Sequence, residues 1–228
     1  MSKAKETFSN TLGEAAWDQS WDTLSKLDPE IFEASVKLMA VPKQKKHLST
    51  KMQSLVQLSV DCAATHLYVP GIRLHVKNAA AAGATLAEVM EVLELSSTLG
   101  IHACNIGVPL LVQVMKEEGF FWDDFLALDP EFFAAYTDFS SAPWTKRIEG
   151  VDGHAGALSN QDKELIYCAF DSAATHLYVS GLKEHMRNAL RYGATVEQVV
   201  EVLELATPLS LHTLNVTAPI VQEIYGQR

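Results

Sequence analysis

Thiol chemistry has little material to work with in this chain. Its three cysteines, Cys62, Cys104 and Cys168, form no CxxC pair, and an odd set of unpaired thiols fits small buried groups in a reducing compartment rather than a disulfide framework. Basic charge is also short. Eighteen Lys and Arg stand against 28 Asp and Glu, giving a formal charge of -10 and a pI near 5.2. That balance argues against nucleic acid or an anionic membrane as a partner, since both recruit a cationic face. The one basic cluster, Lys43, Lys45, Lys46 and His47, is brief and reads as a solvated loop. No apolar run reaches the roughly 18 to 20 residues that span a bilayer. The first residues, 1–7, lack the apolar core of a signal peptide, so a cytoplasmic location is expected. Sustained period-two alternation is missing too, and with it any sign of half-buried strands.

What the chain does have is a duplication. Residues 61–116 align without a gap on 171–226, a shift of 110, with about 25 identities in 56 positions. The stretch from Asp61 through His66 and Gly71 to His75 returns from Asp171 through His176 and Gly181 to His185. None of the three cysteines recurs in the other copy. With 48% hydrophobic residues both halves can bury a core. The expected division is a helical N-terminal extension over 1–26, with Trp17 and Trp21 on one side, then one repeat over 27–118 and a second over 119–228.

Punctuation places the helices. Asp28 before Pro29 and Asp129 before Pro130 each supply an N-cap followed by proline at the first helical position. The pair is offset by only 101 residues, so nine extra residues enter the second copy, and the glycine-rich segment 149–157 is read as the loop that holds them. A helix follows in each copy from about 50 to 65 and 160 to 175, then another from about 70 to 82 and 180 to 192. Gly83 and Gly193 close those helices, and Thr85 and Thr195 cap the next. The expected architecture is all-α, two helical repeats packed as a pseudo-dimer.

Polar residues kept in both copies are the candidates for chemistry. His66, His75 and His102 are matched by His176, His185 and His212; Asp61, Glu91, Glu94 and Asn105 are matched by Asp171, Glu201, Glu204 and Asn215. Glu94 and His102 are eight residues apart, two turns along one face if a single helix carries both. Glu91 reads as an ion-pair partner at the surface or between helices. A histidine near pKa 6.5 can give or take a proton at neutral pH, which makes these rings candidate acid/base groups.

His75 followed by Gly83-Ala84-Thr85 and a glutamate-rich helix, and His185 followed by Gly193-Ala194-Thr195 and its own such helix, resemble the carboxymuconolactone decarboxylase family, which includes the alkylhydroperoxidase AhpD-like proteins. The resemblance covers both repeats. It implies an all-helical fold and a homo-oligomer, here a dimer or trimer of the tandem chain. In the AhpD-like branch the matching histidine follows two cysteines, seven and four residues upstream. Tyr68 and Gly71 stand there in the first copy and Tyr178 and Gly181 in the second, and neither can form a thiolate or resolve a disulfide. The glutamate of that branch has no counterpart at its expected place, where Val56 and Ile166 stand. Peroxide reduction is therefore disfavoured.

The reading that follows is a cofactor-independent lyase acting on a small organic acid or lactone. His75 and His185 are its acid/base groups, His66, His102, His176 and His212 position or polarise the substrate, and Glu94 and Glu204 orient a histidine. Two other readings stay open. One is a metal-dependent enzyme in which Asp61, His66, His75 and His102 hold a divalent Zn, Mn or Fe ion. The other is a non-catalytic helical module for binding or oligomerisation.

Overall fold

A computed structural model of the chain describes residues 2–102, 130–145, 155–212, 214–216 and 219. The described residues are helical with no strand among them. Three helices open the chain: α1 (Lys3–Leu12), α2 (Gln19–Leu27) and α3 (Pro29–Lys45). The first repeat continues with α4 (Thr50–Cys62), α5 (Val69–Ala81) and α6 (Leu86–Ser97), which tightens into a 3-10 turn over Thr98–Ile101. The second repeat is built from α7 (Pro130–Thr145), α8 (Asn160–Ser172), α9 (Val179–Arg191) and α10 (Val196–Ala206), again followed by a 3-10 turn, Thr207–Leu211.

Side chains account for the boundaries. Asp28 accepts the Ile31 N–H at 3.0 Å and Pro29 occupies the first helical position of α3. Ser49 and Ser159 cap α4 and α8 by accepting from Met52 and Asp162. Both helices end three residues before the expected place. The cause is a turn: the Tyr68 and Tyr178 N–H groups reach back to the carbonyls of Asp61 and Asp171 at 2.9 and 3.0 Å, which ends the helical ladder. Asp129, Asn105 and most of the segment 149–157 lie outside the described residues.

The helices α4 and α8 pack on each other at the centre, and each also packs on both α6 and α10. Nine consecutive residues of α8, Lys163 to Asp171, are buried, as a helix surrounded by others requires. One apolar core therefore runs through both repeats, with Leu55, Leu58, Val92 and Leu95 from the first meeting Leu165, Ile166, Phe170 and Val202 from the second. A smaller core joins the opening helices to the body. Phe8 is fully buried there, with its ring 5.3, 5.2 and 6.3 Å from those of Trp17, Trp21 and Phe32.

Two buried glutamates tie the repeats together. Glu91 on α6 accepts the N–H of Leu158 at 2.8 Å and that of Ala157, just before α8. Its twin Glu201 on α10 accepts the N–H groups of His47 and Leu48 at 2.6 and 3.2 Å, just before α4. Each repeat thus satisfies otherwise orphaned donors at the entrance to the other repeat's central helix. Of the expected surface or interhelix ion pair at Glu91, the surface placement is corrected: the carboxylate is a buried acceptor between repeats that also lies near Lys163 on α8.

Thr85 and Glu88 form a capping box at the start of α6, with the Thr85 N–H donating to Glu88 at 2.7 Å and Lys51 donating to the same carboxylate at 2.7 Å. Burial pushes this carboxyl up, but the hydrogen bonds from Lys51 and Thr85 outweigh it and hold it below its ordinary 4.5. A depressed folded-state pKa means stability that is complete above about 4.5 and is lost as pH falls through the folded value. Glu88→Ala is expected to lower stability by about 1 kcal/mol at neutral pH, and by progressively less below about pH 4.5. Urea unfolding at a series of pH values measures both.

Candidate active site

The sequence around Asp61 folds so that distant polar groups meet. Asp61 sits in the last turn of α4 and is 3% exposed. The chain then turns through Ala63 to His66, whose N–H donates to the Ala63 carbonyl at 2.8 Å. Leu67 follows with φ of 49°, a left-handed conformation that leucine adopts only under local constraint. Leu177 repeats it at 51°. The reversal sends α5 back along α4 and returns His75 to Asp61, with Nε2 3.5 Å from Oδ2.

Gly71 makes this approach possible. A Cβ there would lie 1.9 Å from Asp61 Oδ2, and one at Gly181 would lie 2.5 Å from Asp171 Oδ2. The position where redox relatives carry cysteine is thus occupied here by the neighbour's carboxylate. Gly71→Ala is expected to cost about 1–3 kcal/mol as Asp61 is forced off His75. A fall in the thermal midpoint relative to Gly100→Ala, where nothing lies within 4 Å of a Cβ and φ is not positive, separates this overlap from the general cost of removing a glycine.

The fourth member of the cluster comes from the other repeat. His212 follows the second 3-10 turn and brings Nδ1 within 2.6 Å of His66 Nε2 and 3.7 Å of Asp61 Oδ1. His66 Nε2 is itself 3.9 Å from Asp61 Oδ1. The Tyr68 ring stacks on His212 at 3.8 Å and fixes its plane. The second repeat mirrors this arrangement. There His102 crosses to His176 and bonds it through Nδ1, with Asp171 Oδ1 4.0 Å from His102 and 3.9 Å from His176. Tyr178 stacks on His102 at 3.9 Å, and Thr65 meets Thr175 at 3.3 Å between the two turns.

The expected grouping of His66, His75 and His102 within one repeat is therefore corrected. The 3-10 turn after α6 breaks the face that Glu94 and His102 were expected to share, and carries His102 to the opposite repeat. Glu94 lies close enough to Lys163 to raise its pKa, while Glu204 pairs with Lys45. Among the described residues the carboxylates within 4.0 Å of a histidine ring nitrogen are Asp61, Asp171 and Glu164.

Glu164 supplies a carboxylate that sequence reasoning did not single out. It stands two residues before Ile166 and accepts from His185 Nδ1 at 2.6 Å, while His185 Nε2 lies 3.9 Å from Asp171. Tyr167 stacks on the same ring at 4.2 Å. In the first repeat the matching residues are Ser54 and Gln57. His75 Nδ1 there is buried with no hydrogen-bond partner among the described residues. A search for residues kept in both copies passes over a group present in only one, and that is how Glu164 was missed.

Burial dominates the electrostatics. It pushes Asp61 up to about 8 and Asp171 to about 7. It pushes His75 down to about 3, and His102 and His212 to about 4, with His66 and His176 lowered as well. The bare clusters therefore favour neutral imidazoles.

A cavity of about 460 Å³ opens onto the first cluster, lined by Asp61, Tyr68, His75 and His212. Its walls include Phe8, Leu12 and Trp21 from the opening helices, and it carries three basic groups, Lys43, Arg73 and Lys77. Lys43 was expected in a solvated loop. It lies instead on α3, donates to the Leu12 carbonyl at 2.9 Å, and has its pKa lowered by burial. An apolar pocket with a few convergent polar groups and three basic side chains suits a small anion with a hydrocarbon body.

Comparison with known proteins follows the same lines. The model of the carboxymuconolactone decarboxylase family matches residues 29–101 and 130–214. No curated protein matches the chain. Among solved structures, a candidate gamma-carboxymuconolactone decarboxylase subunit from Burkholderia xenovorans LB400 is 38% identical. The match covers 99% of this chain and 97% of that one, with a TM-score of 0.87.

Proposed function

Because the chain belongs to the carboxymuconolactone decarboxylase family, as a tandem member with both repeats in one polypeptide, we propose that it is a decarboxylase-type lyase acting on a small organic acid or lactone. The observation that carries this reading is the cavity over His75 and Asp61, which combines buried acid/base groups with the cations Lys43 and Arg73. The cations hold the substrate anion and the apolar wall holds its carbon skeleton.

Loss of CO2 breaks one carbon–carbon bond and leaves its electron pair on the substrate, so one proton has to be delivered there. His75 in the first site and His185 in the second are the groups assigned to deliver it. An anion entering beside a neutral imidazole favours the protonated ring, so substrate binding draws from solvent the proton that the reaction consumes. Asp61 and Asp171 steady the ring from Nε2, and Glu164 steadies His185 from Nδ1. The acid/base steps themselves call for no cofactor.

The reading also keeps the tandem chain as the unit of a cytoplasmic homo-oligomer. Leu86 and Val196, twins at the starts of α6 and α10, leave large apolar side chains exposed that a second copy can cover.

The test is CO2 release from a panel of small unsaturated lactone acids and β-keto acids. Turnover by the parent chain that is lost with His75→Gln and His185→Gln together supports the reading. Turnover that survives the double change overturns it.

A further inference from the structure

We propose that each histidine cluster is a binding site for one divalent transition-metal ion, held in the first by His66 Nε2, His212 Nδ1 and Asp61 Oδ1 and in the second by His102, His176 and Asp171. This goes beyond the acid/base reading, which needs no metal. The first three donor atoms are separated by 2.6, 3.7 and 3.9 Å. A triangle with those sides is acute, and its circumcentre lies about 2.0 Å from all three corners, within the bond lengths of roughly 2.0–2.2 Å that zinc makes to imidazole nitrogen and carboxylate oxygen. An ion at that point touches all three ligands at once. In the second cluster the three donor atoms also lie within 4.8 Å of one another.

The carboxylates supply an independent observation. Among the described residues Asp171, which is fully buried, has no hydrogen-bond partner on either oxygen, and Asp61, 3% exposed, has none on Oδ2. A buried carboxylate short of donors is a costly arrangement unless a cation faces it. Each carboxylate turns Oδ1 toward its histidine pair and Oδ2 toward His75 or His185, and the arrangement occurs twice. Stacking by Tyr68 on His212 and by Tyr178 on His102 holds one ring of each pair in plane, as the supporting groups of metal sites commonly do.

The donor chemistry selects the ion class. Two imidazoles and one carboxylate suit Zn²⁺, Fe²⁺ or Mn²⁺, whereas Ca²⁺ and Mg²⁺ prefer oxygen ligands in larger number. Three protein ligands leave coordination positions open, and the first site borders both the substrate cavity and a surface depression lined by His66 and Thr175. An ion bound there would polarise a carbonyl or lactone oxygen next to His75.

Calorimetric titration of the chelator-treated full-length chain with Zn²⁺, with Ca²⁺ as control, tests the proposal without any substrate. The expected result is two Zn²⁺ per chain and no Ca²⁺, one Zn²⁺ for Asp61→Asn, and none for Asp61→Asn with Asp171→Asn. If Asp61→Asn fails to fold, His66→Gln on the connecting turn gives the same reading. One ion per chain that is lost in Asp61→Asn alone upholds the first site and overturns the second. Binding below one ion per chain, or a stoichiometry that none of these changes alters, overturns both and leaves each histidine pair as a hydrogen bond. Catalysis that persists without metal bears on the acid/base reading only.

Discussion

A chain carrying both His75→Gln and His185→Gln is expected to turn over its substrate about 10²–10⁴-fold more slowly than the parent, the range that a positioned acid/base group contributes. Glutamine preserves the volume of the ring and a hydrogen-bond donor, so the packing over Asp61 and Asp171 survives. It cannot take up a proton at neutral pH. The single changes carry more information. Two equivalent and independent sites would each leave about half of the parent turnover when the other is removed. Equivalence is not expected, because Glu164 and Tyr167 support His185 while Ser54 and Gln57 stand at the matching positions beside His75. A carboxylate on Nδ1 fixes the tautomer and the orientation of the ring. His185→Gln is therefore expected to cost more than His75→Gln, with Glu164→Gln reproducing part of the loss in kcat. Equal losses from the two single changes would contradict that ranking.

Removal of Glu91 should produce the largest loss of stability. Glu91→Ala leaves the half-buried N–H of Ala157 and the buried N–H of Leu158 without their acceptor, and removes a charge beside the fully buried Lys163. Burial pushes the Lys163 ammonium down and the neighbouring Glu91 and Glu94 push it back up, so one of its two counter-charges disappears. Uncompensated buried groups of this kind cost about 3–5 kcal/mol. That is a large share of the roughly 5–15 kcal/mol by which a domain is stable. Glu201→Ala should cost less, since Gln53 replaces the lysine there and donates to Glu201 at 2.5 Å without bringing a charge. Urea unfolding followed by tryptophan fluorescence measures the two. A loss below about 1 kcal/mol for Glu91→Ala would show that the repeats are held by their apolar core alone.

Much of the fold was legible because its signals are local. Proline after aspartate, serine before the central helices and threonine after Gly83 and Gly193 each act within a few residues. The duplication carried the rest of the architecture, since two copies of an amphipathic unit bury their faces on each other. The site was legible only in its parts. His66, His75, Asp61 and their twins stood out because both copies keep them. Which copy completes which cluster depends on how α6 and α10 end, and a 3-10 turn of four or five residues leaves no distinctive pattern in the sequence. Glu164, Lys43 and Lys163 do not show their roles in the sequence for another reason. Each occurs in one copy only, and each matters through a neighbour far along the chain.

The exchange of His102 and His212 between repeats has a consequence for what this chain can become. In a symmetric pair built from two copies of a single repeat, both clusters are encoded by the same codons, and every substitution strikes them together. Fusion removes that constraint. One cluster can then acquire a carboxylate at 164 while the other keeps a serine at 54, and two chemically unequal centres share one core. Neither half can leave with a whole site, so selection on either centre preserves both halves of the gene.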